Sequence, residues 1–425
     1  MECETVPVEQ RIRRFRRSWH AGDLWPGVTE PRFLAAMAGV ARIITALGGR
    51  EAGPAGATPA SLPPVPFPSS PDVDPRVAGI AAHVTGTGPL LGYWIERGLL
   101  AAPDDVAAVF AGHLDHGRRR AAVLRRALER VLEALDAAGV RATVLKGMHT
   151  AWVYFPEPGV RPMADLDLLV DEASLPAAHR ALAGCGLTPV HTVRGASAWR
   201  GAGPRVPRSL EMAHADDPWE VDLHVTLDRW FADVVPASPG AVGPDDRAPL
   251  MVGTRATTGL AQPLLTALLA LHVSHHFEMT GLMRLYELAT VIRTDTARGA
   301  LDWDALLGRL HGSGASRFVY PAFELMEKLL PGTVHPAFRE QLRADAPDRV
   351  RRVVDRTDPA RATRMFDRSA DIRLMWLDGW RSRLRWMTWR LWPRVGDQPA
   401  PLGEGARLTA ARLLRLVTGK MRLKG

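Results

Sequence analysis

Acidic residues recur at alternate positions of a short apolar segment, a spacing that can hold metal ions. The segment ADLDLLV (164–170) carries Asp165 and Asp167. Because successive side chains of a β-strand alternate between its faces, both carboxylates project from the same face. Two like charges this close repel one another unless a cation lies between them. Mg²⁺, or alternatively Mn²⁺, suits carboxylate oxygens and keeps coordination positions for substrate phosphates.

A third carboxylate follows on a second predicted strand. In WEVDLHVTL (219–227) apolar and polar residues alternate, and Asp222 and His224 share the polar face. If this strand lies near the first, Asp222 completes a cluster of three carboxylates able to hold two metal ions. Such ions activate an attacking hydroxyl group and stabilise a departing pyrophosphate. His224 is then a candidate contact for the nucleotide. The alternative is an edge strand whose polar face is simply solvated.

A lysine and a glycine lie where a short predicted strand meets a helix. VRATVLKG (140–147) is rich in β-branched residues and ends in Lys146 and Gly147. Glycine lets the backbone approach a phosphate, and a helix N-terminus favours an anion. The chain has only four lysines, which marks Lys146 as a phosphate or acceptor contact, although a surface lysine fits the pattern equally well. Arg161 is a second candidate for binding phosphate.

Three histidines lie on one predicted helix, residues 261–277. His272 and His276 have the i, i+4 spacing that can ligate a metal ion. No glutamate follows the first histidine as it does in the zinc-protease motif, so Zn²⁺ is not favoured. We expect His272, His275 and His276 to line a cleft between this helix and the carboxylate strands.

A small sheet must position these residues. The periodicity changes from helical to β-type at residue 140, and short strands alternate with helices up to about residue 230. Segments 209–215 and 219–227 are expected to form an antiparallel pair around an Asp-Asp-Pro turn. The predicted fold class is α+β, with the sheet embedded between helical regions and a chain that is mostly α overall.

Four regions are predicted: an N-terminal helical region 1–139 with a Pro/Gly-rich linker at 51–75, a core at 140–250, a C-terminal helical domain at 251–350, and a basic Trp/Arg-rich tail at 351–425. The linker cannot bury enough apolar surface to fold alone, so we expect it to be mobile.

The tail segment 372–394 has arginines beside an apolar helical face formed by Leu377, Trp380, Leu384, Met387 and Leu391. We expect this face to pack against the protein; a membrane surface or nucleic acid is the alternative.

Composition excludes several classes of protein. With 46% apolar and 24% charged residues, the 425-residue chain is not wholly disordered. Cys3 and Cys185 are the only cysteines, which excludes a disulfide framework and fits a reducing compartment. No run approaches the roughly 18 apolar residues of a membrane span, and no secretory signal is apparent, so a cytoplasmic location is expected. The basic residues are almost all arginines, and heavy use of Arg, Ala, Gly and Pro is typical of coding bias. The net charge of +8 is therefore weak evidence for a nucleic-acid partner, which is not favoured.

Three segments carry a family resemblance: LKG (145–147), YFPEPGVRPMADLDLLV (154–170) and VDLH (221–224). They closely resemble the uncharacterised nucleotidyltransferase family of the DNA polymerase β-like superfamily. The resemblance extends over roughly residues 80–345 and implies a small polymerase β-like mixed sheet.

The resemblance also implies roles for individual residues. Asp165 and Asp167 correspond to the metal-binding pair, Asp222 to the third catalytic and metal-binding carboxylate, and Lys146 and Gly147 to the phosphate-side loop. One departure is that the superfamily usually has Gly-Ser or Gly-Gly about ten residues before the Asp pair. Here a methionine follows the glycine, which lies 18 positions before Asp165.

The implied reaction is Mg²⁺-dependent. It moves a nucleoside monophosphate from an NTP to a hydroxyl-type acceptor on a small molecule, peptide or protein, and releases pyrophosphate. One alternative is a non-catalytic protein that keeps the fold and binds a nucleotide or a partner. The three carboxylates argue against this alternative, and the altered glycine loop argues for it. A second alternative is a transferase that modifies RNA or DNA.

Overall fold

The computed structural model describes residues 6–51, 63–68, 74–193, 195–277, 279, 281–361, 371–391, 394–395 and 398–399. The elements before the main sheet are α1 (Val8–Ser18), α2 (Ala21–Leu24), α3 (Glu30–Glu51), β1 (Val65–Pro66), α4 (Pro75–Thr85), α5 (Gly88–Glu96), β2 (Leu100–Ala101) and α6 (Asp104–Ala137). The long helix α6 begins with two aspartates, which favour the positive end of the helix dipole. The chain turns away after it at Gly139, where φ is +71°.

The middle of the chain builds the sheet and its flanking helices: β3 (Ala142–Val144), α7 (Lys146–Val153), β4 (Asp165–Val170), α8 (Leu175–Gly184), β5 (Thr188–Val193), β6 (Ala196–Arg200), β7 (Glu220–His224), β8 (Arg229–Phe231), β9 (Val235–Ala237), β10 (Arg247–Val252) and β11 (Arg255–Leu260). Seven of these strands form one mixed sheet in the order β10-β11-β3-β4-β7-β6-β5. The β11–β3 and β4–β7 pairs are parallel, and the other four are antiparallel. Strands β8 and β9 form a separate antiparallel pair.

Helices dominate the rest of the described chain: α9 (Leu264–His275), α10 (Leu282–Ala297), α11 (Trp303–Gly312), α12 (Ser316–Leu329), α13 (Pro336–Asp345), α14 (Asp348–Asp355), α15 (Asp371–Leu374) and α16 (Gly379–Leu391), followed by the short strands β12 (Arg394–Val395) and β13 (Gln398–Pro399). Single 3₁₀ turns occur at Pro158–Val160, Glu172–Ser174, Pro244–Asp246 and Pro359–Arg361. The predicted α+β class, mostly helical around a mixed sheet, is confirmed.

The sheet has one apolar face and one polar face at its centre. Leu166 and Leu168 of β4 and Val221 and Leu223 of β7 are fully buried in a core shared with α6 and α8. Burying such a side chain contributes about 1.5–3 kcal/mol. Because the strand period is two, this burial fixes which residues remain for the other face. The intervening acidic residues therefore point away from this core.

Helices from both ends of the chain cover the polar side of the sheet and share a second core. It includes Phe33 of α3, Leu91 of α5, Leu268 of α9, Leu288 of α10 and Phe323 of α12, all 2% exposed or less. The regions before and after the sheet, predicted as separate units, are thus packed together around one set of apolar side chains.

The predicted hairpin of 209–215 with 219–227 is wrong. Residues 209–215 form a loop, and β7 pairs instead with β4 on one side and β6 on the other. The Asp217 carboxylate explains the loop, because it accepts hydrogen bonds from the backbone N–H groups of Arg208 (2.8 Å) and His214 (2.7 Å). The Asp-Asp-Pro sequence closes this loop and not a strand turn.

Part of the predicted linker 51–75 is packed against the protein. Val65 and Pro66 pair in parallel with β2, and Phe67 is buried. The remaining positions of the proposed mobile tract lie mostly outside the described residues. The described part of the tract is therefore not the free linker that composition suggested.

The tail differs from its predicted packing. The expected continuous helix over 372–394 is interrupted at residues 375–378 and resumes at Gly379, where φ is +70°, a conformation that favours glycine. Within the break Leu377 is buried, but after it Trp380, Leu384 and Met387 are exposed. The apolar face of α16 thus does not cover the protein. Residues 400–425 of the tail lie outside the described part of the chain.

One described helix is long and apolar enough to cross a membrane by length and composition. It is the Glu30–Gly49 part of α3, with a mean hydropathy of 1.3 and half of its most apolar window buried in the protein. The sequence analysis predicted no such segment. A core helix of a soluble protein meets the same criteria, so this observation is weak evidence for a span.

Candidate active site

The parallel register of β4 and β7 brings the predicted carboxylates together. Asp167 lies directly opposite Asp222, and Leu169 lies opposite His224. Since Asp222 and His224 are two positions apart on one strand, both side chains emerge on the face that carries Asp167. The neighbouring Leu166 enters the apolar core on the other face.

Three side chains converge closely enough to hold a single metal ion. One ligand atom from each of Asp167, Asp222 and His224 lies within 4.8 Å of the others. Asp165 lines the same cleft but lies outside this group of three. Two carboxylates and one imidazole fit Mg²⁺ or Mn²⁺, since carboxylate oxygens are the preferred ligands of both ions. His224, predicted as a nucleotide contact, thus lies among the candidate metal ligands.

Lys146 lies at the start of α7 and forms an ion pair with Asp167. Its Nζ is 2.8 Å from Asp167 Oδ1, and the two side chains are only 9% and 2% exposed. His224 Nε2 donates a hydrogen bond to the same oxygen over 3.1 Å. Lys146 is therefore not a surface lysine, and in this structure its partner is a carboxylate. It supplies a positive charge where a metal ion would bring one.

Arg161 forms an ion pair with a residue that the sequence analysis missed. Its Nε and Nη2 donate to both carboxylate oxygens of Glu287 on α10, over 3.1 and 3.0 Å. Thr150 on α7 also donates to Glu287. Gly147 lies beneath the guanidinium, where a Cβ would come within 3.1 Å of Arg161 Nη1. This network ties the segment before β4 to helices α7 and α10.

The carboxylates differ in their affinity for protons. Burial and the nearby charge of Asp167 raise the pKa of Asp165. Burial, together with the charges of Asp167 and Asp165, raises the pKa of Asp222 to about 7. Burial alone would raise the pKa of Asp167 as well, but Lys146 and His224 outweigh it and hold that pKa well below its usual value. Without a further cation, Asp167 is therefore the most strongly ionised of the three carboxylates.

These residues line one side of a cleft of about 520 Å³. The opposite side comes from the helices after the sheet and includes the three predicted cleft histidines, His272, His275 and His276. Burial is the main cause that lowers the pKa of all three, and nearby positive charges add to it. The pKa falls to about 4 for His275 and to about 2 for His276. All three are therefore neutral at pH 7.

Two arginines that the sequence analysis missed also line the cleft. Arg229 of β8 and Arg284 of α10 both have a pKa lowered by burial. Arg284 Nη1 is buried and has no hydrogen-bond partner among the residues that the structure describes. With 50 arginines in the chain, residue type alone could not single these two out. The cleft thus joins a metal-binding face to side chains that can bind an anion.

Comparison with known protein families identifies the family of this chain. The sequence model of the uncharacterised nucleotidyltransferase family matches residues 71–331, more than half of the chain. The chain belongs to this family. The chain is also similar to the solution structure of the antibiotic-resistance factor ANT(2'')-Ia, with 10% sequence identity and a TM-score of 0.33. The match covers 46% of this chain and 95% of that one. No protein with curated annotation matches the sequence significantly.

Proposed function

We propose that this member of the nucleotidyltransferase family moves a nucleoside monophosphate from an NTP to a hydroxyl group of a small molecule, peptide or protein. The observation that carries the proposal is the convergence of Asp167, Asp222 and His224 at one side of a cleft whose other walls hold Arg229 and Arg284. A metal-binding face next to cationic side chains, of which Arg284 has a buried donor without a partner among the described residues, suits a nucleoside triphosphate, which carries both phosphate charge and bound metal.

Asp167, Asp222 and His224 would hold Mg²⁺ or Mn²⁺, with Asp165 as a further ligand. When bound, the metal activates the attacking hydroxyl and stabilises charge on the leaving group. The acceptor oxygen forms a bond to the α-phosphorus as the bond from that atom to the bridging oxygen breaks, and pyrophosphate leaves with the electron pair. Ionised Asp222 would accept the proton of the acceptor hydroxyl.

The cationic side chains would bind the triphosphate. Arg284 has a buried donor without a partner among the described residues, and the ammonium group of Lys146, which pairs with Asp167, would also bind a phosphate oxygen. Arg161 acts indirectly, because its Nε and Nη2 donate to Glu287 and its Nη1 to the carbonyl of Pro162, contacts that fix the wall of the cleft. The neutral His272, His275 and His276 offer hydrogen bonds without adding charge.

The test is pyrophosphate release from each of the four NTPs with Mg²⁺ or Mn²⁺, against a panel of hydroxyl-bearing acceptors. We expect metal-dependent release that rises with one class of acceptor and is lost in the Asp167→Asn variant. The matched control is Glu220→Gln, which changes a carboxylate on the same strand that pairs with Arg200 outside the cluster. Equal release by wild type and Asp167→Asn contradicts the proposal.

A second function is favoured by one contact. The ammonium of Lys146 neutralises Asp167 with no metal ion, so the protein can keep a closed, stable site without catalysis. The chain would then bind a nucleotide without transferring it. Calorimetric binding of NTP with Mg²⁺, in a protein that releases no pyrophosphate with any acceptor, favours this function over transfer.

A further inference from the structure

Helix α16 presents an apolar stripe to solvent. Trp380, Leu384 and Met387 lie at positions i, i+4 and i+7 of the helix and are 70%, 51% and 50% exposed. The described residues include six exposed large apolar side chains, and these are the three that share one element. An apolar stripe of this kind on a helix indicates an interaction surface.

Arginines flank the stripe. Helix α16 carries Arg381, Arg383, Arg385 and Arg390 and no acidic residue. The sequence from 379 to 425 holds eleven lysines and arginines against two acidic residues, a net charge of +9. Residues 1–378 hold the other 43 basic and 44 acidic residues, a net charge of −1. The net positive charge of the protein therefore comes from its last 47 residues.

We propose that α16 binds the surface of an anionic lipid membrane. A helix with tryptophan and aliphatic side chains on one face and arginines beside it lies in the plane of the membrane–water interface. The apolar stripe enters the acyl boundary while the guanidinium groups bind lipid phosphates, and the attraction grows with each basic residue near the surface. This proposal does not depend on the proposed nucleotidyl transfer.

Three other binding partners of this surface fit less well than a membrane. Residues 400–425 carry six basic residues and one acidic residue, so they would be repelled by the arginines of α16. A second copy of α16 would be repelled in the same way. Nucleic acid matches the charge, but it offers no apolar environment for Leu384 and Met387, which a membrane does.

The test is co-sedimentation of the full-length protein with lipid vesicles. We expect binding to phosphatidylcholine vesicles that contain about one-third phosphatidylglycerol, and little binding to phosphatidylcholine alone. The variant Trp380→Ser/Leu384→Ser/Met387→Ser should bind at least about tenfold more weakly, since the inserted apolar area is lost. The control Val190→Ser/Met251→Ser removes exposed apolar side chains from β5 and β10 and should bind like wild type.

A second variant tests the proposal independently, in case the serine variant fails to fold. Arg381→Gln/Arg385→Gln keeps the apolar stripe and should weaken binding to the anionic vesicles, with a smaller dependence on salt. The proposal is overturned if wild type does not bind anionic vesicles or if both variants bind as wild type does. Binding to a labelled oligonucleotide but not to vesicles would overturn it in favour of nucleic acid. A dimer that the serine variant dissociates, with no vesicle binding, would assign the stripe to self-association.

Discussion

Replacing Asp222 by asparagine should make the metal-free protein more stable while it disables transfer. The pKa of Asp222 is raised from 3.8 to about 7, so the ionised carboxylate is unfavourable in the folded state. The folded protein retains the proton that the unfolded chain has already released, so this residue lowers stability progressively between about pH 4 and pH 7. Above pH 7 the whole penalty is present, and below pH 4 it disappears.

The shift of about three pKa units corresponds to about 4 kcal/mol, and partial exposure of Asp222 reduces this through solvent screening to about 2 kcal/mol. In EDTA at pH 8 the Asp222→Asn variant should therefore unfold with a free energy about 2 kcal/mol above that of wild type. At pH 4 the two proteins should be equal. Urea unfolding followed by circular dichroism at both pH values measures the difference.

The same substitution should reduce transfer by about 10² or more, because the acceptor loses its proton acceptor and the metal loses one ligand. Binding of NTP with Mg²⁺ should be largely intact. Saturating metal should remove the stability advantage, since it stabilises wild type more than the variant. Glu220→Gln is the control and should change neither the rate of transfer nor the stability in EDTA at pH 8. A variant that is less stable than wild type in EDTA at pH 8, or equally active, would refute the reasoning.

Three further outcomes are expected. Lys146→Met removes the ammonium group that pairs with the buried Asp167 and leaves it the hydrogen bond from His224, whose pKa is lowered by burial. Urea unfolding in EDTA should therefore show a loss of about 3 kcal/mol that Mn²⁺ reduces; an unchanged unfolding energy contradicts this role. Arg284→Gln should weaken NTP binding about tenfold by calorimetry with an unchanged melting temperature, because its free donor contributes to binding and not to folding. Mn²⁺ affinity, measured by electron paramagnetic resonance, should rise from pH 6 to a plateau above about pH 7 as the proton leaves Asp222, and should be flat over this range in Asp222→Asn.

The two carboxylate strands could be predicted from sequence because their pattern is local. Burial at alternate positions in β4 and β7 leaves the acidic residues for the polar face, whatever the neighbouring strands are. Which strands pair is not a local property. The Asp-Asp-Pro sequence after residue 215 resembles a hairpin turn, but the antiparallel partner of β7 is β6, some twenty residues earlier in the chain. Gly195, at a φ of +83° between β5 and β6, was the available signal for the true hairpin.

Outside the two carboxylate strands, residues of the site could be predicted only where their residue type is scarce. Lys146 is one of four lysines, and its position where a strand meets a helix indicated a role in the site. Its pairing with Asp167 did not follow from the sequence. Glu287 lies within an ordinary amphipathic helix, and its role appears only when α10 packs beside Arg161. Long-range pairs of this kind depend on how helices cross the sheet, which no short sequence pattern records.

The pairing of Asp167 with Asp222 across β4 and β7 constrains how the gene can vary in length. Insertion or deletion of one codon within β7 would exchange its two faces, placing Val221 or Leu223 in the cleft and a carboxylate in the apolar core. A change of two codons would return each side chain to its face, but it would shift the register of β7 against β4 by two residues. The loop between β6 and β7 has no such parity and can change by any number. Related sequences should therefore align without gaps through β7 and accumulate them between residues 201 and 219.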